Sequence, residues 1–585
     1  MLKKLEEELS SILGSKIEIE LNTKYADACS NFAIKNRLNA KEICSKINQK
    51  QKKFFSRAEE LNNYINLFFD YKNVFLEMLK ESLEEGKEEK EKQKKKEKVI
   101  VEYPSVNPNK PWHIGHLRNA LLGDVISRLF LKNGYEVERI NYIDDLGLQV
   151  AINVFDYLKN KEVKEDKKFD HFAGERYVEA YKQYEEKEEV KKEVEEIMKK
   201  MEEGNNEVAY KAKEFAKNCV LAQYETSFNY SIFNDLLVWE SDIAREKLLQ
   251  KALEIGKQKG IFFEGSGENK NCLVAKVFGK EKILVRSNGV ATYFAKDIAF
   301  HFWKFGILEN VFNYEEFLKQ PNGEVLYSTS QKGEKMDFGK ARMSINIVGS
   351  EQKEEQEAVR EVIKKFDEQA EVVHVAYEEV RLKEERFSGR KGTWITYTAD
   401  ELLEEAKKRA LEQIRKRFEM SEEEKQKVAR VIAVGGIKFE ILRSAPNKKF
   451  IFSWDKAINF EGDSFAYICY SYARAMRIIE KYMQEEKEIK LDFSKYEINE
   501  EEKELIKNIL LIEKSEEEAF KNFKPNLICE QLLKTASSFA SFYEKHKVLK
   551  AKEEEKNFRI ALVFLYSKKI KEALSILGIE VVERM

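Results

Sequence analysis

The stretch from Val99 to Gly134 constrains this chain more than any other. It opens with a short apolar run, Val99 to Tyr103, of the kind that forms a buried strand. Pro104, Pro108 and Pro111 then interrupt regular structure and impose a turn. A helical run from Leu117 to Leu131 follows, with Leu117, Leu121, Leu122, Val125, Ile126 and Leu129 on one face. It stops at Asn133 and Gly134, a helix C-terminal signal. Strand, turn and helix start together predict an anion cradle. Unpaired backbone N–H groups and the positive end of the helix dipole face the ligand there. Residues 102–116 read EYPSVNPNKPWHIGH, and two of only six histidines in 585 residues, His113 and His116, sit three apart at the helix start. Gly115 lets a ligand approach the backbone closely. Two imidazoles can donate to phosphate oxygens that gain charge in a transition state.

The alternation continues to about residue 400. Strands are expected at residues 99–103, 137–142, 282–285, 344–348 and 372–376, with helices after several of them. That pattern predicts a parallel sheet with its ligands at the carboxyl ends of the strands. A long charged insert separates the second and third of these strands. Its residues 181–203 read as an exposed helix with a thin apolar stripe, an RNA-touching surface being the alternative. Residues 1 to about 80 carry mostly helical patterning, with Phe32, Ala33, Leu38, Ile43 and Ile47 at mixed three- and four-residue spacing. Residues 83–99 are almost wholly charged and suggest a boundary near residue 95. After Thr396 strands disappear. Thr398 with Glu401, and Ser421 with Glu424, match the capping box and open helices. Three domains are therefore expected: a small N-terminal α+β domain over 1–95, an α/β parallel-sheet domain with insertions over 96–410, and an all-α helical bundle over 411–585.

Composition adds mainly exclusions. Lys and Arg number 103 against 105 Asp and Glu, a net charge of −2, so a nucleic-acid partner would have to meet a local patch. No run of eighteen apolar residues exists and the N-terminus carries acids among its bases, so neither a membrane span nor a secretory signal is expected. The six cysteines are far apart and none form a Cys-x-x-Cys pair. That supports neither a zinc knuckle nor a disulfide framework and suits a reducing cytoplasm. Six prolines with abundant Lys and Glu fit heat adaptation and a genome-wide habit equally.

At the histidine turn the sequence resembles the class I aminoacyl-tRNA synthetases, whose ATP-binding motif is spelled this way. The flanks, with Glu102, Tyr103, Ser105 and Asn107 before the histidines and Lys110 and Pro111 just ahead of them, resemble the arginyl-tRNA synthetases. Further segments resemble that family in the same order: WESD at 239–242, ATYFAKDIA at 291–299 and VGSEQ at 348–352. The resemblance implies a multidomain enzyme with a Rossmann-like (HUP-type) catalytic domain. Its activity would be ATP-dependent ligation of L-arginine to the 3′ terminal adenosine of tRNA(Arg) through an arginyl-adenylate, with tRNA needed for arginine activation. Mg2+ would accompany ATP, and no zinc is implied. The chain would be a monomer in the cytoplasm, with no membrane partner.

Residue by residue, the resemblance implies His113, His116 and Lys110 as catalytic and Asn109, Gly115 and Asn119 as ATP contacts. It implies Glu102, Asn107, Glu240, Tyr293, Asp297 and Gln352 as the arginine pocket. A planar guanidinium does need carboxylates in matching geometry. The family's second hallmark, a Lys-Met-Ser-Lys-Ser clamp loop, is degenerate: residues 386–392 read RFSGRKG. The resemblance implies Ser388 and Gly389 at ATP and Arg390 and Lys391 as clamp cations, with Lys110 standing in for the missing lysine. The segment NYIDDLGLQ at 141–149 also resembles the family and suits either strand-end architecture or ligand contact. Residues 461–474, EGDSFAYICYSYAR, resemble the start of the family's anticodon-binding domain. Tyr467, Tyr470, Tyr472 and Arg474 could stack on bases there, or the tyrosines could serve core packing. The N-terminal segment resembles the family's added domain, implied to touch the tRNA elbow. A cysteinyl-type enzyme, a small-molecule adenylyltransferase and an inactive RNA-binding relative are the alternatives. The scattered cysteines, the helical tail and the intact histidines argue against them in turn.

Overall fold

The structure is a computed structural model and describes residues 1–21, 25–88, 97–159, 167–382, 398–486, 488–491 and 493–585. It divides into two compact units. One comprises Lys94–Lys408 with Ser444–Trp454, the other Met1–Gln93 with Arg409–Arg443 and Asp455–Met585.

The first unit is built on β1 (Lys98–Glu102), α1 (Ile114–Lys132) and β2 (Glu136–Ile143). An insert of four helices follows: α2 (Leu148–Lys159), α3 (Phe169–Glu186), α4 (Glu188–Glu203) and α5 (Glu207–Asn229). The chain then returns to the sheet through β3 (Leu236–Trp239), α6 (Tyr293–Lys304), β4 (Asn313–Lys319), β5 (Val325–Ser330), β6 (Met343–Gly349), α7 (Lys353–Phe366) and β7 (Glu371–Tyr377). Among the described residues these strands form one seven-stranded sheet in the order β4-β5-β3-β2-β1-β6-β7. All neighbours are parallel except β4, which pairs antiparallel with β5 at the edge. β1 is the pivot: β2 and β3 lie on one side of it and β6 and β7 on the other. A ligand is therefore expected beyond its carboxyl end.

Tyr103, which follows β1, is buried beneath α1. A Cβ on Gly123 would lie 2.2 Å from its ring, so only glycine lets the helix rest on that ring. The strand expected at 282–285 does form, as part of Lys280–Val285, but not in this sheet. It belongs to a separate antiparallel sheet with Leu273–Val277 and Phe262–Glu264. β3, which does complete the parallel set, is only four residues long, too short to announce itself.

The stripe on residues 181–203 is not exposed. The chain breaks at Lys187, and Val190, Val194, Ile197 and Met201 of α4 are buried in one core with α2, α3 and α5. Nor do strands end at Thr396. Phe450–Phe452 runs parallel to Val380–Leu382, and Arg118 of α1 holds the adjoining backbone. That guanidinium is fully buried and donates to the carbonyls of Glu378, Ala445, Pro446 and Lys448.

The second unit opens with a four-stranded antiparallel sheet in the order Glu20–Leu21, Ala28–Ser30, Tyr64–Phe69, Phe55–Leu61. The α+β expectation for this segment holds, but the helical patterning read over residues 1–80 located none of these strands, which are short and poorly alternating. Long helices follow, among them Glu422–Leu442, Phe465–Glu485, Glu500–Asn522, Asn526–Lys545 and Glu553–Ile576. The Ser421 capping box is present, the Glu424 carboxylate accepting Ser421 N–H at 3.0 Å and Ser421 Oγ accepting Glu424 N–H at 3.3 Å. Within this unit, Phe75 on the helix Tyr71–Glu88 packs 4.9 Å from Phe558 and 6.0 Å from Phe493. Its first and last segments thus share a core.

Candidate active site

The two histidines cap their own helix. His113 Nδ1 accepts the N–H groups of Gly115 and His116 at 3.0 and 3.3 Å, and His116 Nδ1 accepts His113 N–H at 3.2 Å. The rings stack at 3.6 Å. This is a capping box written in imidazole. It explains Gly115 locally: a Cβ there would lie 2.8 Å from the His113 ring. It also sets the tautomer. With each Nδ1 accepting, the proton sits on Nε2, and the pair presents N–H donors. Burial, reinforced by Lys110, holds His113 down to about 3, and burial with His113 and Lys110 holds His116 well below the usual range. Both imidazoles are neutral donors across physiological pH.

The turn before them is fixed from β2, α2 and α5. Ser105 adopts the left-handed region at φ 52, and its N–H donates to Asn141 Oδ1 at 3.1 Å. Asn107 Nδ2 and Lys110 Nζ both donate to Gln149 Oε1 at 3.3 Å. Gln223 Nε2 donates to the carbonyls of Asn107 and Lys110. Asn109 is fully buried, and its amide meets no hydrogen-bond partner among the described residues. Asn119 Nδ2 is taken up by the fold, donating to the Ile347 carbonyl at 2.7 Å and to Tyr377 Oη at 3.4 Å and tying α1 to β6 and β7, while its Oδ1 is buried with no hydrogen-bond partner among the described residues. A direct ATP contact through that amide N–H is not what the structure gives.

The acidic candidates line the same carboxyl edge of the sheet. Glu240 follows β3, Glu102 ends β1, and Gln352 ends the short turn after β6, where it is exposed. Tyr293 and Asp297 lie one turn apart on α6, with Thr292 capping that helix through Ala295 N–H. Lys296 of α6 donates to Glu240 Oε1 at 3.0 Å, which brings the end of β3 to the face that carries Tyr293 and Asp297. Tyr293 is 85% exposed.

Behind these residues lies a buried polar network that the sequence did not single out. Lys304, fully buried, donates to Glu102 Oε2 at 2.5 Å and to Asn346 Oδ1 at 3.0 Å. Asn346 Nδ2 meets His301 Nε2 at 3.0 Å and Gln356 Oε1 at 2.8 Å. Gln356 Nε2 donates to Asp297 Oδ2 at 2.9 Å, and His301 Nδ1 lies 3.2 Å from Asp297 Oδ1. Burial pushes the Asp297 carboxyl up, but His301, Lys304 and Gln356 outweigh it and hold it below the ordinary range. Glu102 is therefore engaged by Lys304, and Asp297 is aimed and kept ionised from behind. His301 and Lys304 share α6 with Asp297 at spacings of four and seven, the signal that could have found them. Asn346 and Gln356 left none.

Ser388, Gly389, Arg390 and Lys391 lie outside the described residues. The aromatic candidates belong to the other unit. Tyr467, Tyr470 and Arg474 are half-buried, and the Arg474 guanidinium sits 4.7 Å from the Tyr470 ring and 4.6 Å from that of Tyr543. Tyr472 is 1% exposed and packs inward, so it offers no face to a base.

Comparison with known proteins covers most of the chain. A family profile described as tRNA synthetases class I (R), catalytic domain, matches residues 78–306 and 315–454, and one described as DALR anticodon binding domain matches 468–585. The arginine–tRNA ligase of Thermococcus sibiricus is 39% identical, covering 94% of this chain and 90% of its own. That of Thermococcus kodakarensis is 39% identical, covering 93% and 90%. The solved Thermus thermophilus arginyl-tRNA synthetase aligns over 100% of both chains with a TM-score of 0.88 at 30% identity. With its paired histidines at the pivot of the parallel sheet and relatives that match it nearly end to end, the chain belongs to the arginyl-tRNA synthetase family of class I aminoacyl-tRNA synthetases.

Proposed function

We infer that this protein ligates L-arginine to tRNA in two steps. The arginine carboxylate attacks the α-phosphate of ATP, forming arginyl-adenylate and releasing pyrophosphate. The 2′-hydroxyl of the terminal adenosine of tRNA(Arg) then takes the arginyl group and AMP departs. Catalysis is positioning plus charge stabilisation, without a covalent enzyme intermediate.

The observation that carries this reading is the reciprocal His113–His116 cap, which fixes two neutral N–H donors at a helix N-terminus. In this reading they bind the phosphates, and Lys110 neutralises the departing pyrophosphate together with Arg390 and Lys391. Ser388, Gly389 and the Asn109 amide serve ATP. Magnesium comes with the nucleotide's phosphates rather than to a dedicated protein cage. Asn107, Glu240, Tyr293, Asp297 and Gln352 receive arginine. Glu102, already paired with Lys304, orients the turn rather than meeting the substrate.

The N-terminal domain, residues 1–95, meets the tRNA elbow, and the helical domain from 411 meets the anticodon through Tyr467, Tyr470 and Arg474. Their half-buried rings beside a guanidinium suit stacking on unpaired bases. The chain acts as a monomer in the cytoplasm, without zinc. Six buried free thiols fit a reducing compartment. Among the described residues no helix is long and apolar enough to cross a membrane.

The test is ATP–pyrophosphate exchange with each amino acid, with and without tRNA. Exchange is expected with arginine when tRNA(Arg) is present, and exchange with cysteine or glutamate instead would overturn the assignment. His116→Ala should abolish exchange while tRNA binding stays within a few-fold.

A further inference from the structure

Glu240 already serves one cation before any substrate arrives, because Lys296 Nζ lies 3.0 Å from its Oε1. A guanidinium entering beside it would have to share the Glu240 carboxylate with Lys296. The neighbouring strand end supplies another acid. β2 and β3 run parallel with Ile143 opposite Trp239, so the next residues, Asp144 and Glu240, leave the sheet side by side.

Asp145 fixes that placement. Its Oδ1 accepts Ser241 N–H at 2.8 Å, and its Oδ2 accepts the Ser241 hydroxyl at 2.6 Å and Lys213 Nζ at 2.9 Å. Asp145 is thus committed to holding the two strand ends together. The Asp144 carboxyl accepts Gly147 N–H and lies against the Glu240 carboxyl, and its Oδ1 is buried with no hydrogen-bond partner among the described residues. An O–H···O bond between two carboxyls requires that the pair hold a proton.

We propose that Asp144 is a second carboxyl of the guanidinium subsite, sharing a proton with Glu240 when the subsite is empty and losing it to solvent when arginine binds. The bound state then has the Asp144 and Glu240 carboxylates beside the substrate and Lys296, in addition to Asp297, which is already held ionised. The inference rests on the reading that Glu240 faces arginine. The balance is simple: one O–H bond of Asp144 breaks, one proton leaves, and the cation takes its place.

The surroundings set the pH at which this matters. Burial first, then the hydrogen bond to Glu240 and the charges of Glu240 and Asp145, push the Asp144 carboxyl up to about 8. The other groups facing it are the Tyr142 hydroxyl on β2, Lys296 on α6, which acts through Glu240, and Lys213 on α5, which acts through Asp145. Because binding favours the ionised form, affinity rises with pH below 8, by up to about tenfold per unit, and levels off above it.

The experiment is calorimetric titration of L-arginine into the full chain from pH 6 to 9, in buffers of differing ionisation enthalpy so that protons are counted. Wild type should release close to one proton near pH 7 and bind more tightly as pH rises. Asp144→Asn should release none, lose the slope and bind at least about tenfold more weakly at pH 8.5, where most of the wild-type carboxyl is ionised. A wild-type proton count of zero, read without any variant, overturns the proposal. Glu240→Gln separates it from the reading beneath it. If that variant binds arginine unchanged, the assignment of Glu240 fails. If it weakens binding while Asp144→Asn leaves affinity and proton count as in wild type, only the role of Asp144 fails.

Discussion

The roles of the two ring nitrogens of His113 can be separated. Nδ1 accepts backbone N–H groups and holds the helix start, while Nε2 carries the ring N–H that the proposed mechanism aims at phosphate. Asparagine retains a cap acceptor but lacks that donor. His113→Asn should therefore keep its far-ultraviolet circular dichroism and lose arginine-dependent pyrophosphate exchange by about 100-fold or more, the range seen when a preorganised donor is removed. Its response to acid should change too. A histidine held down to about 3 in the folded chain binds its proton more readily when unfolded. Stability is then intact above about pH 6.5 and falls as pH drops towards 3. Replacing that imidazole should make the fall in melting temperature between pH 6.5 and 4.5 shallower than in wild type. This histidine pair was legible because its residue types are rare and its spacing is local. Asn346 and Gln356 were not, because β6 and α7 meet α6 only in the folded sheet.

α1 can be placed only where its surface is small enough. Gly123 rests on the Tyr103 ring, whose hydroxyl donates to the Phe233 carbonyl at 2.9 Å. Gly123→Ala forces ring or helix to move, at a cost of about 1–3 kcal/mol. Since the helix N-terminus carries His113 and His116, the same shift should lower exchange activity at temperatures where the variant remains folded. Thermal denaturation and exchange assayed on one sample check both. Among the elements, strands followed by helices were the easiest to read, β1 with α1 above all, because a strand buried on both faces is a continuous apolar run and its helix has one apolar face. The insert helix α4 was misjudged for a physical reason. A stripe of Val190, Val194, Ile197 and Met201 is narrow enough to suit an exposed helix, yet three partner helices cover it completely. Lys280–Val285 was assigned to the wrong sheet because a strand's local pattern carries its type and not its neighbour.

The molecule as a whole is assembled from interrupted pieces. The helical unit takes Met1–Gln93, Arg409–Arg443 and Asp455–Met585, so no single cut releases it. Deleting residues 1–93 would uncover Phe493 and Phe558, which pack against Phe75. Scanning calorimetry of that truncation should show the helical unit's transition lowered or lost, with exposed apolar surface reported by dye binding. A truncation that melts like the full chain would contradict the shared core. Length foretold several domains, but nothing local could foretell that the first helix-and-sheet segment closes on the last helices. The same closure governs how the chain is made. A ribosome adds about 5–20 residues per second, so Phe75 waits on the order of 25–100 s for Phe558 to be synthesised. In that interval the nucleotide-binding core has most of its own residues and can condense, while the nascent N-terminus carries a bare aromatic face, a natural client for a holding chaperone.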